Sequence, residues 1–239
     1  MRVVRGSLSD VEDDRRITRE LVERTERTGE RTIRVWTPPR QVAFGRRDAT
    51  SDGYQRARRI ASTSGYEPID RSVGGSAVAY TGSTIAFAVC VPTDHDRCSI
   101  EHRYQDATER LLDAFESIGA AVARGEPPES FCPGDYSLQA DGKVAGIAQR
   151  VKRQSALVGG CIIALKTDER SISRVLEPVY DALEIPFAAT SVGSLERAGG
   201  PADTDTISRA IEQTFIDDSD SDPVFVHVED VLHEEDDSM

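Results

Sequence analysis

Residues 131–166 have the sequence FCPGDYSLQADGKVAGIAQRVKRQSALVGGCIIALK, which contains a hairpin pattern and all three lysines of the chain. Apolar and polar residues alternate before the pair Asp141-Gly142, a typical turn between antiparallel strands. The returning strand is predicted at 144–151, with Lys143 at its start. A lysine in this position can reach a neighbouring cleft, although an ordinary exposed lysine would fit the same local pattern.

The composition is strongly acidic. The 239 residues carry a formal net charge of −13, and the 29 basic residues are 26 arginines and three lysines. A chain this acidic repels the phosphate backbone of nucleic acids, which argues against nucleic-acid binding. Dense surface carboxylates keep a protein hydrated where salt screens ordinary repulsion, so we expect a halophilic protein that works in a salt-rich cytosol.

The hydropathy pattern shows neither a membrane span nor a secretion signal. No apolar run approaches about 18 residues, and the N-terminal sequence MRVVRGSLSDVEDD turns acidic without an apolar core. We therefore expect a cytoplasmic protein without a membrane partner. The four cysteines and four histidines are irregularly spaced and include no CxxC pair, which argues against a metal site or a disulfide framework.

The periodicity of apolar residues predicts helices and strands in an irregular order. We expect helices at 10–27, 54–62, 101–124, 171–183 and 203–216, and further strands at 32–37, 41–44, 84–92 and 224–228. This order favours an α+β fold with a mixed sheet and helices on one side over a doubly wound fold. Residues 1–216 are expected to form one domain, followed by a loosely packed acidic tail at 217–239.

A second candidate site lies at the adjacent glycines Gly74 and Gly75, in the segment RSVGGSAVAY at 71–80. Adjacent glycines before a strand leave backbone N–H groups accessible, so that a carboxylate or phosphate can approach closely. Arg71 could add a charge-assisted contact to such a ligand. A plain β-turn would give the same short pattern.

Three segments together resemble the superfamily of biotin/lipoate protein ligases and lipoyl/octanoyl transferases. They are RVWTPPRQVAFGRR at 34–47, RSVGGSAVAY at 71–80 and GDYSLQADGKVAGIAQR at 134–150. The resemblance covers about residues 10–216 and is greatest to the branch that moves octanoyl or lipoyl groups between carrier proteins. It implies a central mixed β-sheet with flanking helices, related to the catalytic domains of biotin ligases and class II synthetases.

The resemblance also implies roles for individual residues. Lys143 matches the family's lysine, which contacts the carbonyl or phosphate end of the activated acyl group and would stabilise the charge that develops there. The other implied substrate-binding residues are Arg71, Gly74, Gly75, Ser76, Ala77, Asp135 and Gly146. An apolar tunnel between the sheet and the glycine loop would hold the acyl chain.

The transferase branch uses a cysteine nucleophile downstream of that lysine, and Cys161 lies 18 residues after Lys143. A nearby ammonium would favour its thiolate, and a thioester would keep the acyl group activated without ATP. A buried and inert cysteine is the alternative, because GCIIAL also has the pattern of a buried strand. Cys132, next to Pro133, is the second candidate nucleophile.

Several positions differ from the ATP-dependent lipoate ligases. Those ligases resemble RRxSGGGAVxH at the glycine loop, where this chain has Asp70, Val73 and Ser76 and lacks the terminal histidine. The histidine-glycine pair that follows the lysine in the ligases is replaced here by VGG at 158–160. These differences remove polar contacts to an adenylate, so ATP and Mg²⁺ are expected only if the protein is a ligase, and otherwise no cofactor.

The leading hypothesis is an enzyme of protein lipoylation. It would attach a lipoyl or octanoyl group to a lysine of a lipoyl-type carrier domain by acyl transfer through a cysteine thioester. The alternatives are an ATP-dependent lipoate–protein ligase that acts through lipoyl-adenylate, and a non-catalytic module that binds lipoate or a lipoyl domain. By family analogy, the carrier would be the lipoyl domain of a 2-oxoacid dehydrogenase or the glycine-cleavage carrier protein.

Overall fold

The computed structural model describes residues 1–71, 74–93, 99–216 and 222–236. The strands are β1 Arg2–Arg5, β2 Thr32–Trp36, β3 Gln41–Phe44, β4 Glu67–Asp70, β5 Val78–Tyr80, β6 Ile85–Pro92, β7 Ala123–Arg124, β8 Ser137–Gln139, β9 Lys143–Val151, β10 Ser155–Ile162 and β11 Val224–His227. The helices are α1 Val11–Thr28, α2 Tyr54–Thr63, α3 Ser99–Ser117, α4 Lys166–Ala182, α5 Thr204–Phe215 and α6 Val228–Asp236. Within the described ranges, no helix has both the length and the apolar composition needed to cross a membrane.

Eight strands form one mixed sheet in the order β11-β1-β2-β6-β10-β9-β8-β7. β1 is parallel to both β11 and β2, while every pair from β2 to β7 is antiparallel. A second sheet contains three strands in the order β4-β3-β5. The predicted α+β fold with a central mixed sheet is confirmed.

Helices cover both faces of the central sheet. On one face, Leu111 of α3 and Ile211 of α5 join a buried cluster with Phe87 of β6. On the opposite face, α1 and α6 pack through Ile17 and Val231. The prediction that the helices lie on one side is therefore wrong, because β2 and β6 bury side chains on both of their faces.

Helix ends follow local capping signals. The Asp10 carboxylate accepts two backbone N–H groups from the first turn of α1, and Gly29 ends this helix with a left-handed φ of 71°. The helix predicted at 101–124 is shorter at its C-terminus, where α3 ends at Ser117. Gly119 adopts a φ of 82° just beyond that end, and the chain then turns into β7.

The C-terminal segment belongs to the central sheet. The strand predicted at 224–228 is present as β11, which extends the sheet by parallel pairing with β1. Val228 and Val231 are buried in the cluster that also contains residues of α1. The prediction of a loosely packed tail is therefore wrong for residues 222–236, while 217–221 and 237–239 lie outside the described residues.

A buried ion pair joins α1 to β2. The Arg34 side chain is fully buried, and its guanidinium donates to the Asp14 carboxylate at 2.5 Å and to the Asp14 carbonyl oxygen at 2.9 Å. Trp36 Nε1 donates to the other oxygen of the same carboxylate at 2.8 Å. Burial lowers the pKa of Arg34, and the Asp14 charge opposes that effect. Asp14 therefore holds helix α1 against strand β2, through Arg34 and Trp36 on the same face of that strand.

Replacing Asp14 with Asn should reduce the free energy of unfolding by about 3–5 kcal/mol, because the Arg34 guanidinium would stay buried without a compensating charge. Urea unfolding followed by circular dichroism measures the change. Asp13→Asn is the matched control, since the Asp13 side chain is half exposed on the same helix and should change stability by less than about 0.5 kcal/mol. Equal effects of the two substitutions would contradict the assigned role of the pair.

Candidate active site

A cavity of about 870 Å³ opens between the central sheet and the loops that precede β5 and β8. Its floor is one face of β6, β9 and β10, where paired residues of neighbouring strands point to the same side. Six residues of this floor are small: Ala86, Ala88, Gly146, Ala148, Gly159 and Cys161. Because their side chains are so short, space remains above the sheet for a slender apolar chain.

Lys143 lies at the edge of this floor and is buried, with 1% of its side chain exposed. The predicted turn is present, since Asp141 and Gly142 have φ values of 47° and 133°. Lys143 Nζ donates to the carbonyl oxygens of Cys132 at 2.7 Å and Phe131 at 3.0 Å. Burial lowers the pKa of Lys143, and the carboxylate of a neighbouring acid opposes that effect. The alternative interpretation of Lys143 as an ordinary exposed lysine is therefore excluded.

The acid beside Lys143 is Glu126, whose Oε2 lies 3.0 Å from Nζ. The same carboxylate accepts the Gly134 N–H at 2.9 Å and the hydroxyls of Ser130 and Ser137. Burial raises the pKa of Glu126, but these hydrogen bonds and the Lys143 charge outweigh burial and leave the pKa below its usual value. Glu126 is therefore an ionised carboxylate that contacts Lys143.

Cys132 has a constrained position above the floor. Its φ of 43° lies in the left-handed region, which is uncommon outside glycine and is often found at functional sites. Its N–H donates to the Tyr180 hydroxyl at 2.7 Å, and that hydroxyl donates to the Ala77 carbonyl at 2.9 Å. Arg71 Nη2 donates to Cys132 Sγ at 3.0 Å. The thiol is thus held beside a guanidinium at the cavity wall.

Cys161 has a different environment on β10. Its side chain is buried among apolar residues, and burial raises its pKa to about 12. The positive charge of Lys143 acts in the opposite direction but is a weaker influence than burial. Lys143 does favour the thiolate of Cys161, as expected, but burial outweighs this effect and keeps the pKa of the thiol above its usual value.

The glycine loop is shaped around the Cys132 sulfur. Gly75 has a left-handed φ of 96°, and a Cβ atom there would lie 2.5 Å from Cys132 Sγ and 2.6 Å from Arg71 Nη2. A side chain at Gly74 would meet no atom within 4 Å. Arg71 Nη2 also donates to the Ser76 carbonyl at 2.6 Å, which ties the guanidinium to the loop. Only the second glycine of the pair is required by the local geometry.

The cavity brings together most of the residues predicted from the sequence. Its walls include Arg71, Gly74, Gly75, Asp135, Lys143, Gly146 and Cys161. Ser76 and Ala77 are not among the lining residues, and they support the loop through their carbonyl groups. Among the described residues, no cluster of three or more His, Cys, Asp and Glu side chains could hold a metal ion.

Two polar residues of the site have no sequence signal of their own. Glu126 lies in a proline-containing connector, and Tyr180 is one of several buried residues on α4. Tyr180 contacts Cys132 across 48 positions, and Glu126 contacts Lys143 across 17 positions. Only the tertiary structure reveals these contacts.

Residues 10–216 match the family described as the lipoyl protein ligase A/B catalytic domain. The chain belongs to this family. It is 30% identical over 128 residues to an octanoyl-[GcvH]:protein N-octanoyltransferase of Lysinibacillus sphaericus, a match that covers 53% of this chain and 46% of that protein. It is 25% identical over 150 residues to a lipoyl-[GcvH]:protein N-lipoyltransferase of Listeria monocytogenes, with coverages of 62% and 54%. The chain spans about half the length of these curated relatives.

Solved structures of this family have the same fold. A lipoate-protein ligase A bound with ATP gives a TM-score of 0.77 at 16% identity, over 99% of this chain and 94% of that one. A chain from a bi-partite lipoate protein ligase and its E2 lipoyl domain from Thermoplasma acidophilum gives a TM-score of 0.69 at 14% identity, over 99% and 91%. At these identities the likeness establishes the fold alone.

Gly75→Ala should destabilise the protein by about 1–3 kcal/mol, because alanine is strained at this φ and its Cβ would displace Cys132 or Arg71. The displacement should also slow alkylation of Cys132 by iodoacetamide, since the guanidinium that stabilises charge on the sulfur would move away. Urea unfolding and peptide mass mapping measure the two effects. Gly74→Ala is the control and should change neither; an equal loss in both variants would refute the assigned geometry.

Proposed function

We propose that this family member transfers an octanoyl or lipoyl group to a lysine of a lipoyl-type carrier protein, through a thioester on Cys132. The observation that carries the proposal is the position of the Cys132 thiol, which lies beside Arg71 and above a floor of small residues. The names of the relatives support octanoyl or lipoyl transfer with a GcvH-type partner. The second lipoate ligase structure, solved with an E2 lipoyl domain, supports a lipoyl domain as the alternative acceptor.

The reaction needs two balanced acyl transfers. In the first, Cys132 Sγ attacks the carbonyl carbon of an acylated carrier lysine, the C–N bond breaks, and the thiol proton ends on the departing amine. In the second, the amine of the acceptor lysine attacks the thioester, the C–S bond breaks, and a proton returns to sulfur. Because an amide is converted into an equivalent amide, the overall transfer requires no ATP.

The charges around Cys132 suit both steps. The Arg71 guanidinium donates a hydrogen bond to the Cys132 sulfur, and the Lys143 ammonium donates one to the Cys132 carbonyl oxygen. In each transfer, negative charge develops on the Cys132 sulfur or on the carbonyl oxygen of the acyl group. Fixed cations in a desolvated site stabilise such charge. We infer that Arg71 serves the thiol, although the family resemblance implied substrate binding for this residue.

The cavity floor suits the apolar part of the substrate. An acyl chain extending from Cys132 across β9, β10 and β6 would lie on the glycines, the alanines and the Cys161 thiol of this floor. Burial of the chain on this surface would supply binding free energy of about 0.8 kcal/mol per CH₂ group. We infer that Cys161 contributes to this floor, and that it is not the nucleophile.

An ATP-dependent lipoate–protein ligase is the second candidate function. The chain shares its fold with an ATP-bound lipoate-protein ligase, but the changed positions in the glycine loop and at 158–160 favour the transferase. ATP–pyrophosphate exchange that depends on lipoate would identify a ligase. Tight binding of a carrier domain without either activity would identify the third candidate, a non-catalytic binding module.

Incubation with an octanoylated GcvH-type carrier should add one hydroxylamine-sensitive octanoyl group to the peptide that contains Cys132, as measured by mass spectrometry. Cys132→Ala should lose this adduct and reduce transfer by at least about 10³-fold, because the covalent intermediate cannot form. Cys161→Ala is the matched control and should retain the adduct and most of the activity. An adduct on Cys161, or full transfer by Cys132→Ala, would overturn the proposal.

We further propose that the protein works in a salt-rich cytosol. The net charge of −13 is carried by many exposed carboxylates, whose mutual repulsion is screened more strongly as ionic strength rises. The free energy of unfolding, measured in urea, should therefore rise between low and molar KCl. Equal stability at both concentrations would refute this adaptation.

A further inference from the structure

The Glu126 carboxylate connects the segment that carries Cys132 to the strand that carries Lys143. We call residues 126–137 the nucleophile loop. Within this loop, the Ser130 and Ser137 hydroxyls and the Gly134 N–H all donate to Glu126. From outside the loop, Lys143 Nζ donates to the same carboxylate at 3.0 Å. One side chain therefore closes both ends of the loop around the buried ammonium.

The nucleophile loop requires such a closure. Cys132 has a left-handed backbone, a conformation that costs about 1–2 kcal/mol for a residue other than glycine. The surrounding structure must hold it there. Lys143 contributes by donating to the carbonyl groups of Phe131 and Cys132, and its direction is set by Glu126. Glu126 thus acts on Cys132 through Lys143 and through the loop hydrogen bonds.

The closure also depends on charge. Lys143 is buried, and an ammonium removed from water loses its proton unless an opposite charge compensates. Of the groups that influence it, Glu126 is the carboxylate, and the others are the thiols of Cys132 and Cys161. Without the Glu126 charge, Lys143 would tend to the neutral form and donate one hydrogen bond fewer. The loop would then lose one of its three hydrogen bonds from Lys143, to Glu126, Phe131 or Cys132.

We propose that Glu126 is a positioning residue that keeps Lys143 protonated and closes the nucleophile loop, so that Cys132 stays against Arg71 and faces the cavity. The effect on acyl transfer rests on the proposed function. The closure itself is a property of the folded chain and can be measured without any substrate.

The presence of only three lysines allows a direct test. In protein labelled with ¹³C-lysine, the three side-chain signals are assigned with Lys152→Arg and Lys166→Arg and followed by NMR across alkaline pH. Glu126→Gln should move the titration of Lys143 to lower pH and leave Lys152 and Lys166 unchanged. Glu129→Gln, which removes an exposed carboxylate in the same loop, should move none of them. An unmoved Lys143 signal in Glu126→Gln would overturn the proposal.

Amide hydrogen exchange tests the closure of the loop. In Glu126→Gln, the N–H groups of Gly134 and Cys132 should exchange at least about tenfold faster, because local opening becomes easier. Unchanged exchange would refute the closing role. If Glu126→Gln does not fold, Ser137→Ala supplies the test, since it removes one loop donor and should speed Gly134 exchange with little effect on the titration of Lys143.

Kinetics connect this inference to catalysis. Glu126→Gln should slow formation of the Cys132 thioester by about 100-fold through misplacement of the sulfur, and should move the alkaline limb of its pH profile together with the Lys143 titration. Glu126→Asp should recover part of the rate. If the unmodified protein forms no thioester, the proposed function fails, while the titration and the exchange rates still decide the role of Glu126.

Discussion

The site depends on one buried ammonium with three acceptors. Lys143 Nζ can donate three hydrogen bonds, and its partners are the carbonyl groups of Phe131 and Cys132 and the carboxylate of Glu126. Each partner belongs to the nucleophile loop, so the first residue of β9 fixes a loop that has little regular structure of its own. The ammonium also brings positive charge next to the Cys132 peptide. The Lys143 side chain therefore both holds the nucleophile loop in place and supplies positive charge near the Cys132 thiol.

The central sheet separates the core from the cavity by alternation along its strands. On one face, Phe87 and Val89 of β6 and Val158 of β10 pack against α3 and α5. On the other face, the alternate residues that face the cavity include alanines, glycines and a cysteine. Little side-chain volume therefore covers the sheet where the cavity lies. A continuous apolar strand thus serves two purposes, because large residues on one side stabilise the fold and small residues on the other leave room.

Local patterns predicted the elements that local interactions determine. The Asp141-Gly142 turn and helix α1 follow from short segments of the chain. The helices on both faces and the pairing of β11 with β1 could not be predicted in this way, because they join the two ends of the chain. Glu126 was missed for a different reason: its connector has no periodicity, and its function arises only when Lys143, 17 positions away, is folded against it.

The two candidate cysteines show that the position of a residue in the sequence does not determine its chemical environment in the fold. The family resemblance favours Cys161 because it lies 18 residues after the lysine, yet its strand is central to the sheet, and burial there opposes the thiolate more strongly than the ammonium favours it. Cys132 precedes the lysine on an irregular loop, where the backbone can turn the sulfur towards Arg71. Covalent catalysis needs a sulfur that can bear negative charge and meet substrate. A loop held from several sides meets both requirements, whereas Cys161, on the cavity floor, can meet substrate but is too buried to carry the charge.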